Sequence, residues 1–258
     1  MRNPTSLQDT AYIVWQLAVR DFKIRYRNMT LGVLWSFVNP LIYVFIFYFV
    51  FTKIFPNTTV HNFPLFILCA LLPFNFFSLA WVAGTTSVFY NSSLVKRVVV
   101  MREVIPVSTV MAVSFHFLMQ IVLLLAYAVS CGARVSSAWL WIPIIIFLLF
   151  VAACGLALLF SALDVYVRDT RYVVESGSLI LFWVTPIFYS RQMVPARYQS
   201  LFDLNPAASA ATGLRAILLD NAVPSSGLMG SLAVSSAIML GVGAIVFHEL
   251  KNRFAEHL

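Results

Sequence analysis

Carboxylates are scarce in this chain. Only 10 of its 258 residues are Asp or Glu, and charged residues of both signs make up 10%. A soluble domain carries closer to a quarter. The acidic residues avoid the centres of the long apolar runs. A proton- or sodium-driven carrier places a carboxylate there, so that class loses ground. Cysteine is also rare. Cys69, Cys131 and Cys154 have no CxxC or paired spacing and read as small packing residues. None of the ten glycines is followed by lysine, so the phosphate-binding GxxxxGK[ST] loop is missing. His-Glu-x-x-His and Gly-x-Ser-x-Gly are missing too. His61, His116, His248 and His257 are scattered, and no metal site or cofactor of this chain is expected. Energy for any active transport must come from another polypeptide.

What fills the chain is apolar: 61% of it is hydrophobic. Six stretches carry no Asp, Glu, Lys or Arg: Asn28–Thr52, Ile54–Val95, Val104–Ala133, Val135–Leu163, Ser176–Ser190 and Asn221–His248. A helix rises about 1.5 Å per residue, so crossing a hydrocarbon core takes roughly 20 apolar residues. Five stretches satisfy this. The fifth in order, interrupted by Pro186, falls short. The sequence predicts an all-α integral membrane protein with one transmembrane domain over 1–258. Its six transmembrane helices fall near 31–55, 65–89, 106–131, 139–163, 173–190 and 226–249. The remaining residues are too few for a second globular domain. No cleavable signal peptide is expected, because charged and aromatic residues precede the first long run.

The basic residues are distributed unevenly. Twelve fall on one side of the six spans: Arg2, Arg20, Lys23, Arg25, Arg27, Lys96, Arg97, Arg102, Arg168, Arg171, Lys251 and Arg253. Five fall on the other: Lys53, Arg134, Arg191, Arg197 and Arg215. Cytoplasmic loops are the basic ones, so both termini are expected inside, and the net charge of +7 signals membrane topology rather than nucleic-acid binding. Residues 6–27 form an amphipathic pattern. Leu7, Ala11, Val14, Trp15, Ala18 and Phe22 share one face, opposite Asp9, Gln16, Arg20, Lys23 and Arg27. This predicts a helix lying in the membrane interface. Arg25 breaks the pattern by falling on the apolar face.

Three connecting regions carry further signals. In the loop 91–105, Ser92 or Ser93 can cap a short helix that Lys96, Arg97, Arg102 and Glu103 keep out of lipid. Such a helix can dock a soluble partner or simply lie at the interface. In the segment DVYVRDTRYVVE, Asp164/Arg168 and Arg171/Glu175 are (i, i+4) pairs that suit continuous helix. The region 191–220 is too apolar for a solvated loop and too broken for a span. Pro195 and Pro206 can each start a short helix, and two helices dipping into one leaflet fit both constraints. The pair His116 and Gln120, one turn apart in the third span, reads as hydrogen-bonding glue between helices.

These residues together resemble one family. RDFKIRYRNMTLGVLW at Arg20–Trp35, VRDTRYVVESGSLILFWVTPIFYS at Val167–Ser190 and LNPAASAATGLRAILL at Leu204–Leu219 look like the permease subunit of ABC-type bacterial polysaccharide exporters. That family exports O-antigen, capsule or teichoic acid. The resemblance covers nearly the whole chain. It implies a homodimer of permeases bound to two separate ATP-binding-cassette subunits that hold Mg-ATP, with a polysaccharide on an undecaprenyl lipid as substrate. It implies a bacterial inner-membrane location and no enzymatic activity in this chain. It also implies a channel lined by the first and fifth spans, with 91–105 as the coupling helix and 191–220 as re-entrant helices.

By spacing alone, the (i, i+4) stripe Tyr43, Phe47, Phe51, with Trp35 two turns earlier, packs or faces lipid. The resemblance places it, with Phe182, Trp183, Phe188 and Tyr189 of the fifth span, at the channel. There, rings can stack weakly on sugar faces and let a polymer slide. Contact with the ATPase is assigned to Lys96, Arg97, Arg102 and Glu103. A cytoplasmic charged belt is assigned to Arg20, Lys23, Arg25, Arg27, Arg168, Asp169 and Arg171. Pro40 leaves the channel-facing register of the first span open. The alternatives are a related permease for a drug or another lipid, a membrane enzyme acting on lipid-linked sugars, or a structural scaffold. The enzyme is disfavoured because Asp164, Asp169 and Glu175 alternate with arginines, as ion pairs do. A scaffold leaves the aromatic first span unexplained.

Overall fold

A computed structural model of the chain describes residues 7–27, 29–30, 32–54, 62–97 and 101–257. Arg2 and His61 lie outside the described residues, as do the side chains of Lys96 and Arg97. Every regular element among the described residues is helical. Helix α1 spans Leu7–Tyr26, and a single 3-10 turn at Gly32–Leu34 leads into α2, Trp35–Phe49, which runs on as a π-turn over Val50–Ile54. Next come α3 (Phe63–Tyr90), α4 (Ser92–Arg97), α5 (Val104–Ser130), α6 (Trp141–Tyr166) and α7 (Thr170–Val184). After them come α8 (Ala196–Asp203), α9 (Pro206–Leu218), α10 (Ser226–Leu250) and the last turn α11 (Phe254–His257).

Five helices are long and apolar enough to cross a membrane: Trp35–Ile54, Phe63–Tyr90, Val104–Ser130, Ser137–Tyr166 and Ser226–Arg253. The fifth of the six expected spans, 173–190, appears as the 15-residue α7. It is ~22 Å long, against a hydrocarbon core of ~30 Å. The cause is local. Pro186 disfavours helical backbone in the residue before it, and Thr185 is extended at φ −74°, ψ 130°. The chain then passes through a bend and a turn at Arg191–Met193 into α8 and α9.

Helix α3 is the axis of the bundle. It is apolar all round, most of its side chains are buried, and it packs against α2, α5, α6, α7 and α9. Phe76 stacks on Phe117 of α5 with ring centroids 4.5 Å apart. Helix α6 lies between α3 and α10 and is held to both by small residues. A Cβ on Gly243 would collide with the backbone of Gly155, and one on Gly155 would collide with the α10 backbone at Met239 and Leu240. On the other side, a Cβ on Gly84 would collide with Ala157. Inside a bilayer the hydrophobic effect does not draw helices together, so such close backbone approach is a main source of packing energy.

Two helices stand apart from this packing. In α2 only Ser36 and Pro40 are buried, and in α7 only Thr170 and Val174. Both carry large exposed apolar side chains, among them Phe45, Tyr48 and Phe49 on α2 and Leu179, Ile180 and Trp183 on α7.

The glycine contacts give the first prediction. Gly243→Leu has no room between α6 and α10 and should cost about 2 kcal/mol or more. For a chain of this size that lowers the melting temperature by roughly 5 °C, read by size-exclusion chromatography of heated, detergent-solubilised protein. Gly230→Leu sits where a Cβ meets open space and should leave the melting temperature nearly unchanged. Equal effects from the two substitutions would remove the α6–α10 contact from this account.

Candidate functional site

At the end of the bundle opposite α4, the broken end of α7 is held by α9. Asn205 caps α9: its Oδ1 accepts from Ala207 N at 3.0 Å, while its Nδ2 donates to Thr185 Oγ1 at 3.0 Å. Arg215, two and a half turns along α9, is buried. Its guanidinium donates to the carbonyls of Phe66 (3.0 Å), Ile187 (2.8 Å) and Tyr189 (3.3 Å) and lies 3.4 Å over the Phe66 ring. One side chain therefore ties α3, α9 and the segment after α7 together. Sequence reasoning counted Arg215 only as a basic residue of the less basic side. The signal was its place among Ala, Leu and Ile on an apolar helix, where a charge needs partners.

An aromatic ladder leads from α2 to this clamp. Tyr43 and Phe47 stack at 6.2 Å, Phe47 and Phe51 lie at 6.3 Å, and Phe51 meets Phe63 edge-on at 4.7 Å. Phe63 stacks on Phe66, under Arg215. The expected stripe thus turns inward along its length. Trp35 and Tyr43 are exposed, whereas Phe47 and Phe51 pack against the core. The fifth-span set divides likewise. Trp183 and Phe188 are exposed, Phe182 packs edge-on against Phe74 at 5.3 Å, and Tyr189 donates its hydroxyl to Trp183 O at 2.9 Å. The more exposed rings of α2, Phe45 and Tyr48, escaped the sequence reading.

Between α2, α3 and α5 lies a polar cleft. One cavity of about 370 Å³ is lined by Asn39, Tyr43, Asn75, Ser78, His116 and Gln120 among others. A second, of about 480 Å³, shares Asn39, Leu79 and His116 with it and reaches Arg25 and Trp35. His116 ties α5 to α1. Its Nε2 pairs with Gln120 Nε2 at 2.9 Å, and its Nδ1 with Tyr26 OH at 3.0 Å. Tyr26 OH also meets Ser36 Oγ at 2.5 Å. Ser78 and Ser178 are hydrogen-bonded between α3 and α7.

The end bearing α4 is a belt of charge. The apolar face of α1 packs on α5: Ala18 is fully buried, and Trp15 and Phe22 both meet Phe115 edge-on, at 5.5 and 5.7 Å. On its other face Arg20 binds Asp21 and donates to Asn91 Oδ1 at 2.9 Å, just before α4. Lys23 and Arg27 are exposed, and Arg25 is half-buried. The helix expected to run through Asp164–Glu175 breaks at Val167, which is extended at φ −130°, ψ 100°. Arg171 then reaches back to the buried Asp164 with two bonds, of 2.8 and 3.1 Å, in place of the (i, i+4) pairing with Glu175. Arg168 and Arg171 lie over the Phe89 ring. Asp169 precedes the first turn of α7 and makes no side-chain cap.

Of the four residues expected at the ATPase contact, Arg102 and Glu103 have described side chains, and both are engaged within the chain. Glu103 accepts from Lys251 Nζ at 2.6 Å, and Arg102 donates to Lys251 O and lies over Phe254. Burial pushes Glu103 up, but the hydrogen bond and charge of Lys251 outweigh it and hold the carboxyl below its usual range. Phe254 is fully buried, and α11 packs against α4. The C-terminal segment is thus part of this surface, which sequence reasoning missed. Its signal was an apolar Phe254 after two basic residues.

Comparison with known proteins places this geometry in a context. The family profile of the ABC-2 type transporter matches residues 12–219. The chain is 34% identical over 240 residues to an O-antigen export system permease protein RfbA of Klebsiella pneumoniae, covering 93% of this chain and 92% of that protein. It is 25% identical to a protein of the same name from Myxococcus xanthus, with 94% of each chain covered. It is 22% identical to the polysialic acid transport protein KpsM of Escherichia coli, with 90% of each covered.

The clamp yields the second prediction. Arg215→Gln keeps a polar side chain but cannot span three carbonyls, and charge-assisted hydrogen bonds are worth about 1.5–3 kcal/mol each. The variant should lose on the order of 3 kcal/mol of stability. It should also become sensitive to proteolysis between Pro186 and Pro195, read by limited digestion in detergent. A variant as stable and as protease-resistant as the parent would reduce Arg215 to an incidental contact.

Proposed function

The chain belongs to the ABC-2 type transporter family, and from that premise we propose that it is the channel-forming permease subunit of an ATP-driven exporter. The cargo is polysaccharide carried on an undecaprenyl lipid, moved across the bacterial inner membrane. Similarity to O-antigen and polysialic acid transport proteins over nine-tenths of the chain supports this cargo class. The chain works as a homodimer with two ATP-binding-cassette subunits, and Mg-ATP is bound and hydrolysed there.

The observation that carries the channel reading is the exposure of α2 and α7. They flank α3, and each fully buries only two residues in one copy. A second copy would cover part of these faces and leave a path between them. Trp35, Tyr43, Trp183 and Phe188 are exposed and offer rings to sugar faces. A ring stacks on the apolar face of any hexose without selecting one hydroxyl pattern, which suits a sliding polymer. Phe47, Phe51, Phe182 and Tyr189 support those rings from behind. In this reading α7 is the fifth of six spans, completed by the segment after Thr185, and α8 and α9 re-enter the outer leaflet. Helix α9 is buried against α3, α6 and α10, which makes that depth tolerable for its backbone. The ATPase docks on the surface formed by α4, Lys96, Arg97, Arg102 and Glu103, braced by α11. Both termini lie in the cytoplasm.

Two experiments test this. Tyr43→Ala and Trp183→Ala should each cut surface polysaccharide several-fold with unchanged expression and dimer assembly, because both side chains are exposed and their loss leaves no cavity. Normal export by both variants would rule out the aromatic lining. For orientation, single cysteines at Ser137 and Val167, both exposed, in a cysteine-free background should differ. An impermeant thiol reagent added to intact cells should label Ser137 and spare Val167. Labelling of Val167 would invert the topology.

A further inference from the structure

The segment that follows α10 closes an apolar cluster of its own. Phe254 is fully buried in it, together with Val88 of α3, Val95 of α4, Ile105 of α5, Leu158 of α6 and Phe247 of α10. The cluster is distinct from the main core around α3. The Phe254 ring meets Phe247 edge-on at 5.3 Å, and the Arg102 guanidinium lies over it at 5.9 Å.

The backbone of the same segment is held by the loop that carries α4. The last carbonyls of a helix have no donor within the helix. Here the Tyr166 hydroxyl donates to Leu250 O at 2.8 Å, and the Arg102 guanidinium donates to Lys251 O. A cation at that end also suits the helix dipole. Lys251 Nζ in turn donates to Glu103 Oε1 at 2.6 Å. Arg102 and Glu103 immediately precede α5, so both bonds fix the far end of loop 91–105. The near end is fixed by Arg20 on Asn91.

Helix α4 needs such support. Its six residues make ~9 Å of helix, far below the length at which an isolated helix is stable. It packs on α3, its predecessor in the chain, and on α11. Chain continuity supplies the first of these contacts and not the second. The geometry of α4 is therefore set by residues about 150 positions further along the chain, as the separation of 148 between Glu103 and Lys251 records.

We propose that segment 251–257 is a clasp that positions α4 for an ATP-binding-cassette subunit, with Phe254 and Lys251 as its positioning residues. This rests on the reading of α4 as the docking surface. It adds that the surface is assembled from two distant parts of the chain, and that Arg102 and Glu103 serve it through the clasp.

The test follows backbone hydrogen exchange of the full chain in nanodiscs by mass spectrometry. Phe254→Ala and Lys251→Glu should each speed exchange of the α4 amides about tenfold and leave α6 near Gly155 within about twofold of the parent. Adding Glu103→Lys to Lys251→Glu restores a pair of opposite charges and should return α4 to within about threefold of the parent. Unchanged α4 exchange in both single variants overturns the clasp. Equal acceleration in α4 and α6 overturns it too, because the segment would then hold the whole bundle. Should Phe254→Ala fail to fold, Lys251→Glu and the charge-swapped double variant decide by the same criteria, and a double variant as loose as Lys251→Glu overturns the role of the pair. A second measurement reads binding of the exporter's ATP-binding-cassette subunit to the chain in nanodiscs. Both single variants should bind it roughly fivefold more weakly, since the docking geometry is then less populated. Loosened α4 with undiminished binding overturns the link to docking. A parent chain that binds no such subunit, while Lys251 still governs α4 exchange, would remove the export reading and leave the clasp on α4 standing.

Discussion

The contact between Gly155 and Gly243 sets the arrangement of everything else. Two helix backbones touch because neither residue has a side chain. In water, such a pair would forgo apolar burial. In lipid, where every helix surface is already solvated by hydrocarbon, close backbone approach gives each helix more dispersion contacts than lipid tails can. With Gly84 against Ala157 on its other side, α6 becomes the shared partner of α3 and α10. A core built from these three helices and α5 leaves α2 and α7 with little to bury. Their exposure follows from where the small residues are.

Polar groups then do what glycine cannot. Thr185 is buried, so the broken end of α7 must find its hydrogen-bond partners within the protein. Arg215 and Asn205 supply them from α9. The arrangement has a directional consequence. Asn205 caps the 13-residue helix that carries Arg215, and both bind the five-residue segment 185–189. Helix α9 and the end of α7 therefore move as a unit or not at all. The aromatic ladder from Tyr43 to Phe66 ends on that same arginine, so α2 reports to the same point.

The five long helices were legible in sequence because their signal is one of length and composition, and the observed ends fall within a few residues of those expected. The short α7, α8 and α9 were legible for a different reason: Pro186, Pro195 and Pro206 punctuate the chain at fixed points. The register of α2 was not legible. An aromatic every fourth residue defines one face of a helix but not which neighbour that face meets, and both Tyr43–Phe47–Phe51 and Phe45–Phe49 satisfy the rule. Packing against Phe63 decides between them. The pairing of Arg171 with Asp164 was hidden too, because the (i, i+4) rule presumes a continuous helix and the break at Val167 carries no proline or glycine to announce it. Arg25 shows the reverse case. Its misfit was visible in the sequence, but its surroundings come from α2, α3 and α5 and needed the fold.

The belt at the α4 end ties the two helical termini to the bundle. Loop 91–105 is joined to α1 through Arg20 and Asn91, and to α10 through Glu103, Arg102 and Lys251. Each pair is partly exposed and individually modest, on the order of 1 kcal/mol or less. Phe254, fully buried among Phe247, Tyr166 and the Arg102 guanidinium, gives the belt an apolar anchor that ion pairs alone lack. The contacts therefore run from α4 to the C-terminal end of α10 through Phe254 and to α1 through Asn91. Helix α10 in turn meets α6 at the glycine contact, where backbones touch and no side chain lies between them. Helix α1 meets Ser36 at the start of α2 through Tyr26. One route ends in the buried core and the other on the exposed helix beside the cleft, so the α4 surface is joined through few intermediaries to both parts of the bundle.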